Sequence, residues 1–155
     1  MGNSQSELDS LRVFNTLKTV VSNLVKNYEC DEEKMSFLFF VTAEPFEIAF
    51  KLMLHPSDGL LTMYSKLPFS VDEPYREAYA TAICRLNYDC MYGGTFDFSP
   101  EKGTTVFRLP GPYIKSLISP ELLENVVRST HDTVARYSSY LYDIGHGKAA
   151  EMPNE

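Results

Sequence analysis

One stretch of the sequence, residues 46 to 55, alternates strongly apolar side chains with other residues at a period of two. Phe46, Ile48, Phe50, Leu52 and Leu54 occupy every second position. Successive side chains of a β-strand point to opposite faces, so this alternation predicts a strand with one face buried. The chain must therefore build a sheet around it.

Strand patterns lie on both sides of this stretch. Residues 36 to 42 are dense in aromatic and branched side chains, and residues 60 to 67 follow the turn residues 56 to 59 and end at Pro68. The short connections predict an antiparallel meander of three strands. Residues 95 to 99 and 104 to 109, joined by a charged turn containing Gly103 and ended by residues 110 to 112, predict a second hairpin.

Helical periodicity occupies the remaining segments. An amphipathic stripe that includes Leu8 and Leu11 predicts a first helix over residues 6 to 28. Asp72 and Glu73 before a proline predict a capped second helix at 74 to 88, and Ser119 before another proline caps a third helix that runs to 145. The acidic cluster at 29 to 33 is interpreted as a solvated loop, and the tail from 146 to 155 as frayed.

The element order is therefore α-β-β-β-α-β-β-α, an α+β fold in a single domain over residues 1 to 155. Its ordered core is expected over about 6 to 145. A chain of 155 residues is long enough to bury such a core without metals or disulfides.

Composition excludes several classes of function. The formal net charge is −7 and both halves of the chain are acidic, which argues against a nucleic-acid partner. The three cysteines lack paired spacing and fit reduced thiols in a cytoplasmic protein. His55, His131 and His146 do not pair with a cysteine at zinc-finger spacing, so we expect no metal and no cofactor.

A membrane role is not expected. The longest apolar run, residues 37 to 41, is far shorter than the roughly 20 residues that span a bilayer. The N-terminus has Gly2 and Ser6 at the positions of a myristoylation signal. That pattern is loose, and a short polar leader is the preferred interpretation.

The second predicted helix has a second semi-apolar side. Beyond its main stripe it carries Ala80, Thr81, Cys84 and Tyr88, which are small or apolar. A helix that is apolar on more than one side is usually covered on more than one side. A neighbouring element or a second subunit must cover it, and we expect a homodimer contact centred on these four residues.

Other residue types that carry chemistry are interpreted as structural. His131 is expected to be a core or edge histidine, with a groove-lining position as the alternative. Cys84 and Cys90 are expected to be buried, inert thiols. Gly93 and Gly94 are expected to form a tight connection, because no helix N-terminus follows them to hold a phosphate.

Tyrosines near the end of the third helix are candidates for contacts with a partner peptide. Tyr137 also fits the core stripe, so Tyr140 and Tyr142 are the open candidates. No pair of titratable groups has a spacing useful for catalysis, and we expect no enzymatic activity.

Four short segments carry a family resemblance: RLN at 85 to 87, GTFDFS from Gly94, VFRL from Val106, and ISPELL from Ile118. With these segments the chain resembles the YbjN domain family, best over residues 36 to 147. That family has a type III secretion chaperone-like fold. The resemblance implies a single antiparallel sheet with helices mainly on one face, frequent dimerisation, no known catalytic centre, and a description of members as sensory-transduction regulators.

The function expected on this basis is a non-enzymatic protein-binding module, a YbjN-like chaperone or regulatory adaptor that acts as a homodimer in the cytoplasm on an unidentified protein client. Extended client segments would add to a sheet edge or lie in a groove. The alternative is a small-molecule sensor that binds an apolar ligand between the sheet and the helices.

Overall fold

The computed structural model describes residues 5–91, 93–113 and 118–153. Gly2, at which the loose myristoylation pattern begins, lies outside the described residues, as does the side chain of Ser6. The described elements, in chain order, are α1 (Gln5–Leu24), β1 (Tyr28–Asp31), β2 (Ser36–Ala43), β3 (Phe46–His55), β4 (Leu60–Ser70), a 3₁₀ turn (Glu73–Tyr75), α2 (Arg76–Cys90), β5 (Thr95–Ser99), β6 (Thr104–Pro112) and α3 (Pro120–Gly145).

The strands form one six-stranded antiparallel sheet in the order β1-β2-β3-β4-β6-β5. The α+β class, the single sheet and the burial of one face of β3 are as predicted. The joining of the two predicted strand groups through β4 and β6 was not specified by the sequence patterns. It makes the meander and the later hairpin parts of the same sheet.

One strand was missed. The acidic segment predicted to be a solvated loop contains β1, whose Tyr28 to Asp31 pair with Phe39 to Ser36 of β2. The strand lies at the sheet edge, where Glu29 and Cys30 are both exposed. Such a strand has no apolar alternation to reveal it, since neither face is fully covered.

The first helix is shorter than predicted and ends at Leu24. Phe14, Leu17 and Val21 of its predicted stripe are buried as expected, but Leu8 and Leu11 are 50% and 45% exposed. The buried side also includes Ser10, whose hydroxyl is 2.8 Å from the hydroxyl of Tyr113. A polar residue that finds a partner can occupy the centre of a buried face.

Two strands run past the prolines that were expected to end them. The pairing of β4 with β6 is irregular between Lys66 and Ser70, which accommodates Pro68 within the longer strand. Strand β6 continues to Pro112, and its Pro110 lies opposite Thr62 of β4.

The second helix begins through a 3₁₀ turn, and Asp72 at the cap position makes no side-chain capping bond, contrary to the prediction. The side chain of Arg76 ties this region together instead. Its Nη1 donates to the carbonyl oxygens of Pro100 at 2.9 Å and Glu101 at 3.1 Å, and its Nε donates to Val71 at 3.3 Å. One guanidinium thereby fixes the start of α2 to the β5–β6 turn.

The cap of the third helix is as predicted. Ser119 is the N-cap residue and its hydroxyl accepts a hydrogen bond from the backbone N–H of Leu122, with Pro120 in the first turn. Helix α3 packs on β4 and β6 and contacts both α1 and α2. It is therefore the central helix of the covered side of the sheet.

A row of side chains crosses the sheet beneath the helices: Phe39, Phe50, Ser65, Phe107 and Phe96 lie opposite one another on five strands. The rings of Phe39 and Phe50 are 5.8 Å apart, and those of Phe107 and Phe96 are 4.9 Å apart. All five residues are buried. This row forms the centre of the core.

The described part of the tail, predicted to be frayed, makes specific contacts. Gly147 has a φ of +72°, and a β-carbon there would lie 2.3 Å from the ring of Tyr75. Met152 is half-buried against the core and accepts a hydrogen bond from the thiol of Cys90 at 3.3 Å. The tail therefore packs alongside α2 as far as Pro153.

Candidate functional site

The four residues predicted to form a dimer contact lie on the outward side of α2. Thr81, Cys84 and Tyr88 are exposed, with Tyr88 90% exposed, and Ala80 is half-buried. Among the described residues, no element of the same chain covers this side. Cys84 lies three residues after Thr81 and four after Ala80, and Tyr88 lies four after Cys84, so the four positions share one face.

The inward side of α2 is fixed firmly to the sheet. Tyr79, Ala82, Ile83 and Leu86 are its buried residues. The hydroxyl of Tyr79 is 2.7 Å from that of Thr105, and burial raises the pKa of Tyr79 well above its usual value. The outward side is thus presented on a rigid support rather than on a mobile segment.

The cysteines are less buried than predicted. Cys84 is exposed, which corrects the expectation of a buried thiol, because no element among the described residues covers the helix face that carries it. Cys90 is half-buried against Met152. Cys30 on β1 is also exposed, and partial desolvation is the main cause that raises the pKa of its thiol.

His131 lines a groove, the alternative that the sequence left open. The groove is a cavity of about 230 Å³ between the end of α1, the strand β2 and the middle of α3. Its lining is Leu24, Val25, Phe39, Val41, Val127, Arg128, His131 and Asp132. Five of these side chains are apolar, and the polar ones, Arg128, His131 and Asp132, form the rim. At the rim the Nδ1 atom of His131 is 2.9 Å from the carboxylate of Asp132.

The tyrosines near the end of α3 pack within the chain. Tyr137 is buried, as its place in the core stripe predicted, and Tyr140 is half-buried, with burial as the main cause that raises its pKa. Tyr142 contacts the rings of Phe46, Phe69 and His146 at 5.4, 5.3 and 4.2 Å. These contacts make Tyr142 part of an aromatic cluster and leave little of it for a partner.

The glycine pair forms a close connection between α2 and β5, as predicted. Gly94 has a φ of +78°, and a β-carbon there would lie 2.6 Å from the ring of Phe107 and 2.9 Å from the carbonyl oxygen of Arg108. Only glycine fits this backbone without a shift of the sheet.

One edge of the sheet is closed by a helix side chain that the sequence did not single out as functional. The amide of Asn87 in α2 donates to the carbonyl oxygen of Phe96 at 2.9 Å and accepts from the N–H of Phe96 at 2.9 Å. Phe96 is the second residue of β5, the edge strand. Asn87 therefore takes both outward hydrogen-bonding groups of this residue and blocks further strand pairing there.

The opposite edge is only half closed. Strand β1 pairs with residues 36–39 of β2, while β2 itself continues to Ala43. Within the described residues, no strand pairs with Phe40–Ala43 on the side away from β3. Phe40 is 55% exposed, and Val41 in the same segment lines the apolar groove.

The described residues contain neither a metal-binding cluster nor a membrane-spanning helix. In residues 5–91, 93–113 and 118–153, no group of three or more histidine, cysteine, aspartate or glutamate side chains is placed to hold a metal ion. No helix in the same ranges combines the length and apolar character needed to cross a bilayer.

Comparison with known proteins places the fold. No family model matches the chain, and no curated protein sequence matches it significantly. Among solved structures, a chain of the ExsC–ExsE complex matches with a TM-score of 0.62 over 85% of this chain and 95% of that chain, at 12% identity. A chain of the HopA1–SchA chaperone–effector complex matches with a TM-score of 0.60 over 85% of this chain and 97% of that chain, at 12% identity.

Similarity at this level of identity establishes the fold alone. The chain has an α+β, type III secretion chaperone-like fold, with one antiparallel sheet and its helices packed on it. This confirms the predicted fold class.

The closure of the β5 edge can be tested with Asn87→Ala. The substitution leaves the N–H and C=O of Phe96 without their side-chain partner, so we expect the free energy of unfolding to fall by about 1 to 3 kcal/mol. The amide of Phe96 should also exchange with solvent much faster, as measured by native-state hydrogen exchange.

Asp89→Ala is the matched control, because Asp89 is exposed on the same helix turn. It should change the unfolding free energy by less than about 0.5 kcal/mol. Unaltered exchange at Phe96 in Asn87→Ala would show that the side chain does not guard this edge.

Proposed function

We propose that this protein is a non-enzymatic protein-binding module, a cytoplasmic chaperone or regulatory adaptor of the YbjN kind that acts as a homodimer on a protein client. One observation carries the proposal: the unpaired half of β2 lies directly beside an apolar groove. The type III secretion chaperone-like fold supports it. One of the solved structures of similar fold comes from a chaperone–effector complex.

An extended client segment fits the half-open edge for a physical reason. Unpaired backbone groups at a sheet edge are a template for another strand, and main-chain hydrogen bonds supply much of the affinity in such complexes. A strand added beside residues 40–43 would send alternate side chains to the two faces of the sheet. On one face they meet the groove beside Val41, and on the other they meet exposed Phe40.

Client pairing is expected at only one edge of the sheet, because Asn87 occupies the β5 edge at Phe96. Asn87 already holds the outward groups of Phe96 on β5, so a client strand would have to displace it. At β2 no such displacement is needed among the described residues. The proposal therefore assigns client pairing to β2 and leaves β5 as a structural edge.

The homodimer would form through the outward side of α2. Tyr88 and Cys84 are exposed on a face flanked by Ala80 and Thr81, small residues that permit close approach of a second helix. Large exposed aromatic side chains are typical centres of protein interfaces. In a two-fold arrangement the same face of each copy meets its mate, so the mid-helix Cys84 would lie near the symmetry axis.

The dimer prediction is tested by Thr81→Arg. A buried, unpaired guanidinium in the contact is costly, so the molecular mass from light scattering should fall to that of one chain while the circular dichroism spectrum stays unchanged. Ser129→Arg is the control, because Ser129 is exposed on α3 away from this face.

Cysteine oxidation gives a second readout of the same contact. A covalent dimer formed by mild oxidation should be lost in Cys84→Ser and retained in Cys30→Ser, since Cys30 is equally exposed but lies on β1. A single-chain mass for the unmodified protein at high concentration, or covalent dimers that depend on Cys30 alone, would contradict the α2 contact.

A second candidate function is a small-molecule sensor, and the groove favours it. The cavity of about 230 Å³ lies between sheet and helices, as an apolar ligand would require, and has His131 and Arg128 at its rim. Aromatic compounds with a polar group are the chemical class that this lining suits.

Thermal-shift screening distinguishes this candidate. Ligand at about a hundredfold excess over its dissociation constant stabilises the native state by about 2.7 kcal/mol, which appears as a raised melting temperature. Val41→Lys should abolish the shift by filling the groove, whereas Thr81→Arg should not. The absence of a shift with any aromatic metabolite, or a shift that survives Val41→Lys, would remove the sensor function.

A further inference from the structure

The face of the sheet opposite the helices carries basic side chains at its centre. Lys51 of β3 lies opposite Tyr64 of β4, and Tyr64 lies opposite Arg108 of β6. Lys66 follows two residues after Tyr64 on the same face. Three cations thus surround one tyrosine on three adjacent strands.

The strand geometry sets the spacing of this cluster. Neighbouring strands are about 4.8 Å apart, so the backbone positions of Lys51 and Arg108 are separated by about 10 Å. Lys66 is a diagonal neighbour of Lys51, at about 7 to 8 Å. The three basic side chains can therefore act on one bound segment.

Two of the three cations form no ion pair within the described residues. Arg108 is paired with Asp97, whose Oδ2 lies 2.8 Å from its Nη2. Lys51 and Lys66 are exposed and unpaired in the same ranges. Glu29 and Asp31 lie on the edge strand β1, and Glu47 is a diagonal neighbour of Lys66.

Apolar side chains accompany the cations. Phe40 is 55% exposed on the same face, opposite Ala49, and Tyr64 and Leu38 are half-buried. A solvated sheet face needs polar side chains. In a chain with a net charge of −7, however, solvation alone does not explain why Lys51 and Lys66 lie together at the centre of this face. The concentration of cations beside exposed apolar groups requires a separate explanation.

We propose that this open face binds an extended acidic segment of a partner protein. Carboxylates of the segment would lie on Lys51, Lys66 and Arg108, and apolar side chains between them would lie on Phe40 and Tyr64. Alternate side chains of an extended chain are about 6.6 to 6.8 Å apart, which suits the diagonal spacing of the two lysines. This surface adjoins the β2 edge and shares Phe40 with it, but it is separate from the outward side of α2 and does not depend on the dimer.

The observations favour a peptide over nucleic acid. Proteins that bind nucleic acid typically contact many phosphates and carry a strongly basic surface. Here only three cations lie in an acidic chain, and Asp97 and Glu47 lie next to two of them. A mixed surface of this size suits a short acidic segment that contacts Lys51 and Lys66, not a chain of phosphates.

The experiment uses the full chain and a fluorescein-labelled copolymer of glutamate and tyrosine, with poly-glutamate and an oligothymidylate of matched charge as comparison probes. Fluorescence anisotropy at low and at physiological salt measures the affinity. Lys51→Gln combined with Lys66→Gln should weaken copolymer binding about tenfold, and higher salt should weaken binding to the wild type.

Arg12→Gln combined with Lys102→Gln is the control, because it removes the same charge from exposed residues of α1 and of the β5–β6 turn that form no ion pair within the described residues. Equal weakening by both pairs, equal binding of oligothymidylate, or no copolymer binding at low salt would each overturn the proposal. Light scattering of the Lys51→Gln, Lys66→Gln variant should give the wild-type mass, so failure here is distinguishable from failure of the dimer.

Discussion

The packing of all three helices against one side of a six-stranded sheet is the constraint on which the rest of this structure depends. The row from Phe39 to Phe96 is buried beneath the helices, with α3 packed on the central strands and in contact with α1 and α2. Burial of this apolar surface is the main stabilising term of the fold. The same packing determines which surfaces stay exposed to solvent: the opposite sheet face, two sheet edges and the outward sides of the helices.

Those remaining surfaces differ in character. The β5 edge is closed by the side chain of Asn87, while the β2 edge is covered by β1 over only half its length. The sheet face is basic at its centre, and the outward side of α2 carries small residues and exposed Tyr88. The outward side of α2 lies on a separate element from the β2 edge and the adjoining sheet face, so a contact at α2 leaves both of those surfaces exposed.

Much of the fold could be predicted from the sequence because its signals are local. The alternation in β3 and the cap formed by Ser119 and Pro120 each depend on residues close together in the chain, and both are present in the structure. Strand β1 gave no such signal, since an acidic edge strand buries little. The pairing of β4 with β6 joins segments separated by a whole helix, and no local pattern encodes it.

The site was harder to predict than the fold for a related reason. Asn87 is an ordinary polar residue near a helix end, and its role appears only when β5 comes within hydrogen-bonding distance. Cys84 was expected to be a buried, inert thiol because it has no neighbouring histidine and only Arg85 nearby, yet the sequence does not say which side of α2 the sheet covers. The four residues of the predicted dimer contact do share one exposed face, while contact with a second subunit stays a prediction.

The most direct test of the proposed function is differential hydrogen exchange on the chain alone and with its client, co-purified from the native host. The account predicts new protection in residues 40–43 of β2, where backbone groups are unpaired, with β5 unchanged because Asn87 already holds Phe96. Protection confined to β5, or no change in β2 with client bound, would contradict it.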